Sequence, residues 1–442
     1  MLARPMCRRL AFALVLPIMI PSIAHAQESR RRWERLCQIR EEKFDRILPE
    51  VMRENGIDLW IVAQKEGHAD PLYEDLGRGY TSRIGYYLFF DRGGDRIERT
   101  ALGVTGPMLE QCPVYDRVDG AADLPKYLAA RNPKRIGINT SDEIGAADGL
   151  THTLYLHLQQ TLGPAFAGRM VSAEKLVSDY WSRHVASEIV AFGEAGEWSR
   201  TIAERALSNE VITPNRTTLA EVAWWMWDQL LAHGLGSSFD MPSVYVTGPN
   251  GIEDTSNERI IRPGDLLVID WGVGYLGFWT DIKRMAYVLR DGEKGAPPGI
   301  QRAFDRALEV RALIRRTAKA GTTAQVMLDH LNQAVAGTPG FGLMKVFNQP
   351  SQDPAVTDVI IGCHSVGDLG HGSGPSMAFF NPLQLGFQIR PSNLFSIEFF
   401  AYTAAPEWGG RKVRIPLEDD AVVTERGVEW VYPVNRRILL VK

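Results

Sequence analysis

Ile261-Arg262-Pro263-Gly264-Asp265-Leu266-Leu267-Val268-Ile269-Asp270 and Ile389-Arg390-Pro391-Ser392-Asn393-Leu394-Phe395-Ser396-Ile397-Glu398 read nearly alike. Each is a turn that feeds a short apolar strand ending on a carboxylate. A second acid follows each stretch, Asp281 after the first and Glu418 after the second. Between the two stretches lies Gly362-Cys363-His364-Ser365-Val366-Gly367-Asp368-Leu369-Gly370-His371-Gly372. A strand unit used twice, each time bearing two acids, points to an α+β architecture with an internal pseudo-two-fold duplication.

The chemistry of this set follows from where the residues should fall. Leu266 to Ile269 is a continuous apolar run, which places the strand in a core and Asp270 at its edge. Trp271-Gly272-Val273-Gly274-Tyr275-Leu276-Gly277 is rich in turn residues, so a hairpin can return Asp281 beside Asp270. Glu398 and Glu418 repeat the arrangement around the longer segment 399–417. Carboxylate oxygens with one imidazole suit first-row divalent cations, manganese foremost, with cobalt, zinc or iron as alternatives. Two bridging carboxylates would hold a metal pair about 3.5–4 Å apart with a shared hydroxide, the two-metal hydrolytic arrangement. Taken singly, an Asp at a strand end is ordinarily a turn cap, and a His in a Gly-rich loop is ordinarily structural. The duplicated frame is what joins them into one ligand set.

The 442 residues exceed one ordinary core and imply two or three domains. Arg4, Arg8 and Arg9 precede the uncharged apolar run Leu10 to Ile20 and then Ala24-His25-Ala26, the order of a secretory signal peptide over residues 1–26. An apolar run this short falls well below the roughly 20 residues a membrane span needs, so no stable anchor is expected once the signal is cut. Its removal takes three Arg and no acid, moving the formal charge from −4 to −7. That balance favours neither nucleic acid nor an anionic membrane as partner. Residues 27–180 read as an α/β domain. Trp33, Leu36, Phe44, Ile47, Leu48 and Val51 recur at helical spacing up to Gly56, and strands follow at 57–62, 85–90, 97–104 and 135–138. His68, His152 and His157 are isolated there. Residues 181–442 form the second domain, with helices over about 186–207, 219–231, 300–320 and 323–335. Thr217 or Thr218 is the N-cap of the second of these, with Glu221 behind it. Trp224, Trp225 and Trp227 are expected in core and interface packing. The scattered Cys37, Cys112 and Cys363 give no readable disulfide pairing.

At these motifs the chain resembles the pita-bread metallopeptidases of family M24, in its aminopeptidase P and prolidase branch. The residues that carry the resemblance are the two aspartates with Thr280-Asp281-Ile282-Lys283-Arg284, His364-x-x-Gly367-x-x-x-His371, and Glu418-Asp419-Asp420. It implies a pita-bread catalytic domain after an α/β domain of the creatinase and prolidase type. It also implies five ligands for two divalent ions: Asp270, Asp281, His364, Glu398 and Glu418. Glu398 would shuttle the proton and His371 would contact the substrate and stabilise the oxyanion. The expected activity is hydrolysis of short peptides at Xaa-Pro bonds by a secreted or periplasmic enzyme, self-associated as a dimer or tetramer. The chain departs from the branch in its substrate contacts. Glu253 stands where a substrate-contacting His is expected, Ile360 where a second His precedes the metal His, Phe399 in place of Pro, and Pro416 in place of Arg. Two other readings compete. One is a metal hydrolase of the same fold acting on a non-prolyl amide or ester, which an anionic Glu253 would suit. The other is a peptide-binding module without catalysis, against which stands the mutual repulsion of four clustered acids that lack a cation.

Overall fold

The computed structural model describes residues 27–249 and 251–442. The leader expected over residues 1–26 lies outside them. Among the described residues no helix is long and apolar enough to cross a membrane.

The first part runs α1 (Glu28–Glu54), β1 (Leu59–Lys65), α2 (Tyr73–Leu76), β2 (Ile84–Phe90), β3 (Glu98–Leu102), α3 (Pro107–Glu110), β4 (Arg117–Asp119), α4 (Leu124–Arg131), β5 (Ile136–Ile138), α5 (His152–Ala167), β6 (Met170–Ser172) and α6 (Glu174–Ser182). Its six strands form one sheet in the order β4-β3-β2-β1-β5-β6. Strand β1 is apolar along most of its length because both faces are covered. Trp60 and Val62 pack with Phe44, Leu48, Val51 and Met52 of α1. Leu59, Ile61 and Ala63, pointing the other way, pack with Leu124 and Leu128 of α4 and Leu158 and Leu162 of α5. Cys37 of α1 and Cys112, just past α3, form a disulfide that closes a separation of 75 residues. No pairing was readable from the sequence because this one exists only where α1 lies across the segment after α3, a contact that local spacing does not encode. Cys363 is free and buried.

The second part opens with α7 (Ala186–Ala206) and α8 (Leu219–His233), followed by β7 (Gly236–Ser237), β8 (Ser243–Gly248), β9 (Gly251–Asp254), β10 (Leu266–Trp271), β11 (Val273–Tyr275), β12 (Phe278–Trp279) and β13 (Ile282–Val288). Then come α9 (Pro298–Thr317), α10 (Ala324–Ala336), β14 (Phe341–Leu343), β15 (Thr357–Ile361), β16 (His364–Ser365), α11 (Pro382–Leu385), β17 (Asn393–Ser396), β18 (Phe399–Ala404), β19 (Lys412–Leu417), β20 (Asp420–Val423), β21 (Val428–Trp430) and β22 (Leu439–Val441). Thr218 is the N-cap of α8 in a capping box with Glu221: the Glu221 amide donates to its hydroxyl at 3.2 Å and its own amide donates to the Glu221 carboxylate at 2.7 Å. Leu219, Val222, Ala223, Met226 and Leu230 make the buried face of α8. Trp224 falls off that face and is 59% exposed, against the expectation that all three tryptophans are packed; Trp225 and Trp227 are partly buried against the core.

Four sheets share the work: β22-β13-β10-β8-β9, β14-β15-β18-β19, β16-β17-β20-β21 and the small β12-β11-β7. Alternation along β10 divides it between two cores. Leu267 and Ile269 pack with Val222 and Met226 of α8, while Leu266 and Val268 face the cluster that holds α9, α10 and the strands of the second half. By the same alternation Asp270 lies on the face of Leu266 and Val268, toward the second half. Strand β13 pairs antiparallel with β10, and its Met285 and Tyr287 share that face. The fold therefore aims the acids of the first half at those of the second.

Candidate metal centre

Asp270 is the fifth residue of β10, and Asp281 immediately precedes β13. The tight return between them depends on Gly272, where a Cβ would lie 1.7 Å from the Thr280 carbonyl oxygen. His364 opens β16, Glu398 sits between β17 and β18, and Glu418 between β19 and β20. The two halves are tied by backbone bonds: the Lys283 amide donates to the Glu418 carbonyl at 3.1 Å, and Trp279 and Gly367 exchange bonds of 2.8 and 3.2 Å. The last pair fixes the His364–His371 loop to the first hairpin.

The structure brings all five expected ligands together. Ligand atoms converge in three overlapping sets, Asp281 with His364 and His371, His364 with Glu398 and Glu418, and Asp270 with Asp281 and Glu418, each within 4.8 Å. His364 Nε2 lies 3.4 Å from Glu418, 3.8 Å from Asp281 and 4.0 Å from Glu398. Its Nδ1 lies 3.0 Å from the Ser365 carbonyl. Donation there leaves the Nε2 lone pair facing the acids, as a metal-bound imidazole requires. His371 Nε2 lies 3.5 Å from Asp281 Oδ2, yet its side chain is 75% exposed, so it stands at the mouth of the site.

Outside the ligands a further layer fixes them. Ser396 Oγ donates to Glu418 at 2.5 Å. The Asp281 amide donates to Asp420, which also accepts from the Tyr432 hydroxyl at 2.9 Å. Asp419 is neutralised by Arg284 at 2.9 Å and Arg311 at 3.0 Å. Glu418-Asp419-Asp420 is thus one acid for the centre followed by two that brace the frame around it.

Lys283, read from sequence only as part of the Thr280–Arg284 run, joins the centre in the structure. It stands directly opposite Asp270 in the β10–β13 register. Its Nζ lies 3.0 Å from Asp270 and 2.7 Å from Glu398, and it also bonds Glu418. The signal was present: a lysine in a strand otherwise fit for burial needs acids near it, because an unpaired buried charge is costly. Its effect on the acids is uneven. Burial and then Glu418 push Asp281 well above the carboxylate range. Burial outweighs Lys283 at Asp270 and Glu398, and both are raised. Burial also opposes ionisation of Glu418, but Lys283 and His364 together bring it down to about 2. Asp281 Oδ1 and His364 Nε2 are buried without a hydrogen-bond partner. A carboxylate oxygen and an imidazole nitrogen left without partners on two of the converging residues fit a divalent cation.

A cleft of about 630 Å³ opens over the centre, lined by His364, His371 and Glu398, by Phe380, and by Glu143 and Ile144 from the first part of the chain. Phe380 belongs to an aromatic group with Phe347, Phe379 and Phe400, at centroid distances of 5.4 to 5.8 Å. Neither that wall nor the contribution of residues 143–146 was expected from sequence. A larger cavity of about 870 Å³ beside α1 and α7 touches none of the ligand residues, so chemistry rather than size selects the smaller one.

The residues singled out as departures fall in three settings. Glu253 is exposed on β9, with its carboxylate 2.6 Å from where a Cβ on Gly248 would lie, folded over its own hairpin. Ile360 and Phe399 are core residues of β15 and β18. Pro416 sits in β19, the edge strand of its sheet, where a missing amide is tolerated.

Comparison with known proteins agrees with this geometry. The model of Metallopeptidase family M24 matches residues 191–425. An uncharacterized peptidase of Bacillus subtilis, YqhT, is 24% identical over 233 residues, and the match spans 51% of this chain and 52% of that protein, about half the length of each. Among solved structures, the X-Pro aminopeptidase of Thermotoga maritima superposes with a TM-score of 0.62 at 18% identity, covering 88% of this chain and 99% of that one. The prolidase of Pyrococcus horikoshii gives 0.59 at 20% identity, covering 89% and 99%. The Xaa-Pro dipeptidase of Bacillus anthracis gives 0.58 at 19%, covering 93% and 100%. With its α/β first part and the acid and histidine cluster of its second, the chain belongs to metallopeptidase family M24 and has the fold of these aminopeptidases and prolidases.

Proposed function

We propose that this chain is a secreted peptidase that hydrolyses short peptides at Xaa-Pro bonds, in the manner of aminopeptidase P or prolidase, at a divalent-metal centre. The observation that carries the reading is the convergence of Asp270, Asp281, His364, Glu398 and Glu418 beneath a cleft large enough for a short peptide. Manganese heads the candidate ions, ahead of cobalt, zinc or iron, because the donors are oxygen with one imidazole. When bound, the ion supplies Lewis-acid polarisation and an activated water. The chain does the rest. Glu398 lines the cleft and is raised toward the range in which a carboxyl can both take and return a proton, so it serves as the shuttle to the leaving nitrogen. His371, exposed at the mouth, donates to the substrate oxygen as it gains charge. Phe380 and its aromatic neighbours offer an apolar wall for a prolyl ring or side chain. The Cys37–Cys112 disulfide supports the secreted or periplasmic placement, since such bonds persist in oxidising compartments. The division at residues 180 and 181, and self-association, belong to the same reading.

The two-ion form of this centre requires Lys283 to withdraw from Asp270, Glu398 and Glu418. A second reading, hydrolysis of a non-prolyl amide or ester, rests on the absence of the expected histidine at position 253, whose glutamate does not line the cleft. The two separate in one experiment: mature, metal-reconstituted protein is assayed on Xaa-Pro dipeptides and longer Xaa-Pro peptides beside non-prolyl and ester controls. Prolyl turnover that stops on chelation is expected. Turnover of the controls alone would replace the prolyl reading with the second.

A further inference from the structure

We propose that Lys283 is a resident cation that takes one of the two metal places of the centre, so that the site binds a single divalent ion, held by Asp281, His364 and Glu418. This rests on the metallopeptidase reading above and sharpens it. Three observations carry it.

The first is how fully Lys283 is used. An ammonium has three donors, and Lys283 Nζ has three acids to receive them: Asp270 Oδ2 at 3.0 Å, Glu398 Oε1 at 2.7 Å, and Glu418 Oε2. Its side chain is 4% exposed, the Phe400 ring lies 5.7 Å away, and β13 fixes its backbone opposite Asp270. An ion bound to Asp270, Glu398 and Glu418 would need those same oxygens at about 2.0–2.2 Å. A divalent ion and an ammonium sharing one set of oxygens repel each other at close range in a site shielded from water.

The second observation is what Lys283 leaves alone. Asp281 Oδ1 and His364 Nε2 are both buried and have no hydrogen-bond partner. His364 Nε2 faces Asp281 Oδ2 at 3.8 Å and the outer oxygen of Glu418, Oε1, at 3.4 Å, and Lys283 bonds neither of these oxygens. One side of the centre is thus satisfied by the chain itself, and the other is built for an ion.

The third is charge. The four carboxylates of Asp270, Asp281, Glu398 and Glu418 bring four negative charges. An ammonium and one divalent ion bring three positive charges, which leaves one acid free to carry a proton. Two ions beside the ammonium would bring five, one more than the four carboxylates supply, so that form reaches neutrality only by also taking in an anion such as a shared hydroxide.

The experiment is metal analysis of the full mature chain, dialysed after loading with Mn²⁺, together with electron paramagnetic resonance at two equivalents of Mn²⁺. The expected result is one ion per chain with an isolated-ion signal in the parent. Lys283→Ala, which frees Asp270 and Glu398, should take two ions and show an exchange-coupled signal. Two ions or a coupled signal in the parent overturns the proposal and leaves the peptidase reading intact. One ion in both proteins overturns the role given to Lys283. No ion in either overturns the metallopeptidase reading itself. If Lys283→Ala does not fold, Lys283→Met keeps the bulk without the charge, and the parent's stoichiometry and signal decide on their own.

Discussion

His364 and His371 share one loop, yet the structure gives them different work. His364 is buried with its Nε2 among three acids, whereas His371 is mostly exposed and approaches only Asp281. His364→Ala should therefore lower metal occupancy, read by elemental analysis. His371→Ala should keep the ion and lower turnover by roughly 10²–10³-fold, the scale of a lost oxyanion donor. The reverse pattern would exchange the two roles. A second residue, far from the centre, responds to pH. Burial pushes the Asp75 carboxyl up to about 6, although Lys43 and the Trp181 indole, which donates to it at 2.8 Å, pull the other way. Because the folded value lies above the unfolded one, the folded state keeps a proton that the unfolded chain releases between about pH 4 and 6. Stability from this group thus falls as pH rises through that window and stays reduced above it. Solvent reaches part of this residue, so the cost at pH 8 is about 1–2 kcal/mol rather than the full shift. Asp75→Asn keeps an acceptor for the indole without the charge. It should raise stability by that amount at pH 8 and hardly at pH 4.5, measured by denaturant unfolding; an equal gain at both values would refute the argument.

At the scale of elements, much was legible. The spacing of apolar residues placed the four long helices of the second part to within a few residues, and Thr217 or Thr218 with Glu221 marked the start of α8, where the structure uses Thr218. The continuous run Leu266–Ile269 foretold a strand covered on both sides, and the structure divides it between two cores. Two things escaped. The face of α8 that leaves Trp224 in solvent depends on which neighbours arrive, and the Cys37–Cys112 bridge depends on α1 crossing a segment 75 residues away. Closing so long a loop should be worth about 4 kcal/mol on the chain-entropy model. Cys112→Ser should therefore unfold at markedly lower denaturant than the parent, and the parent in excess dithiothreitol should match it. Coincident unfolding curves for oxidised parent and variant would show that the bridge adds nothing.

The whole molecule is held at its centre by groups that repel one another. Asp270 and Asp281 come from one half of the second part and Glu398 and Glu418 from the other, and Lys283 answers only part of their charge. A bound divalent ion should therefore stabilise the fold as well as activate it. An ion that binds only the native state adds about 2.7 kcal/mol at a concentration 100 times its Kd. Calorimetry of mature protein should show a higher Tm with Mn²⁺ than after chelation at pH 8. The gain should shrink toward pH 5.5, because burial and neighbouring acids raise Asp281 and Glu398, and protons then compete with the ion. A Tm that ignores the metal at both pH values would argue that these acids do not hold one.

The sequence by itself determined the element types, the turns that feed β10 and β17, and the identity of the four acids and one histidine that meet in space. Those features are written in local periodicity and in two stretches, 261–270 and 389–398, that read nearly alike. Only the tertiary structure decided that Lys283 lies among the acids, that Glu143 and Ile144 wall the cleft, and that Glu253 folds back over its own hairpin. Each of these depends on register or on the packing of one element against another, across separations such as the 115 residues between Lys283 and Glu398. Residue order alone does not fix which side chains such packing brings face to face.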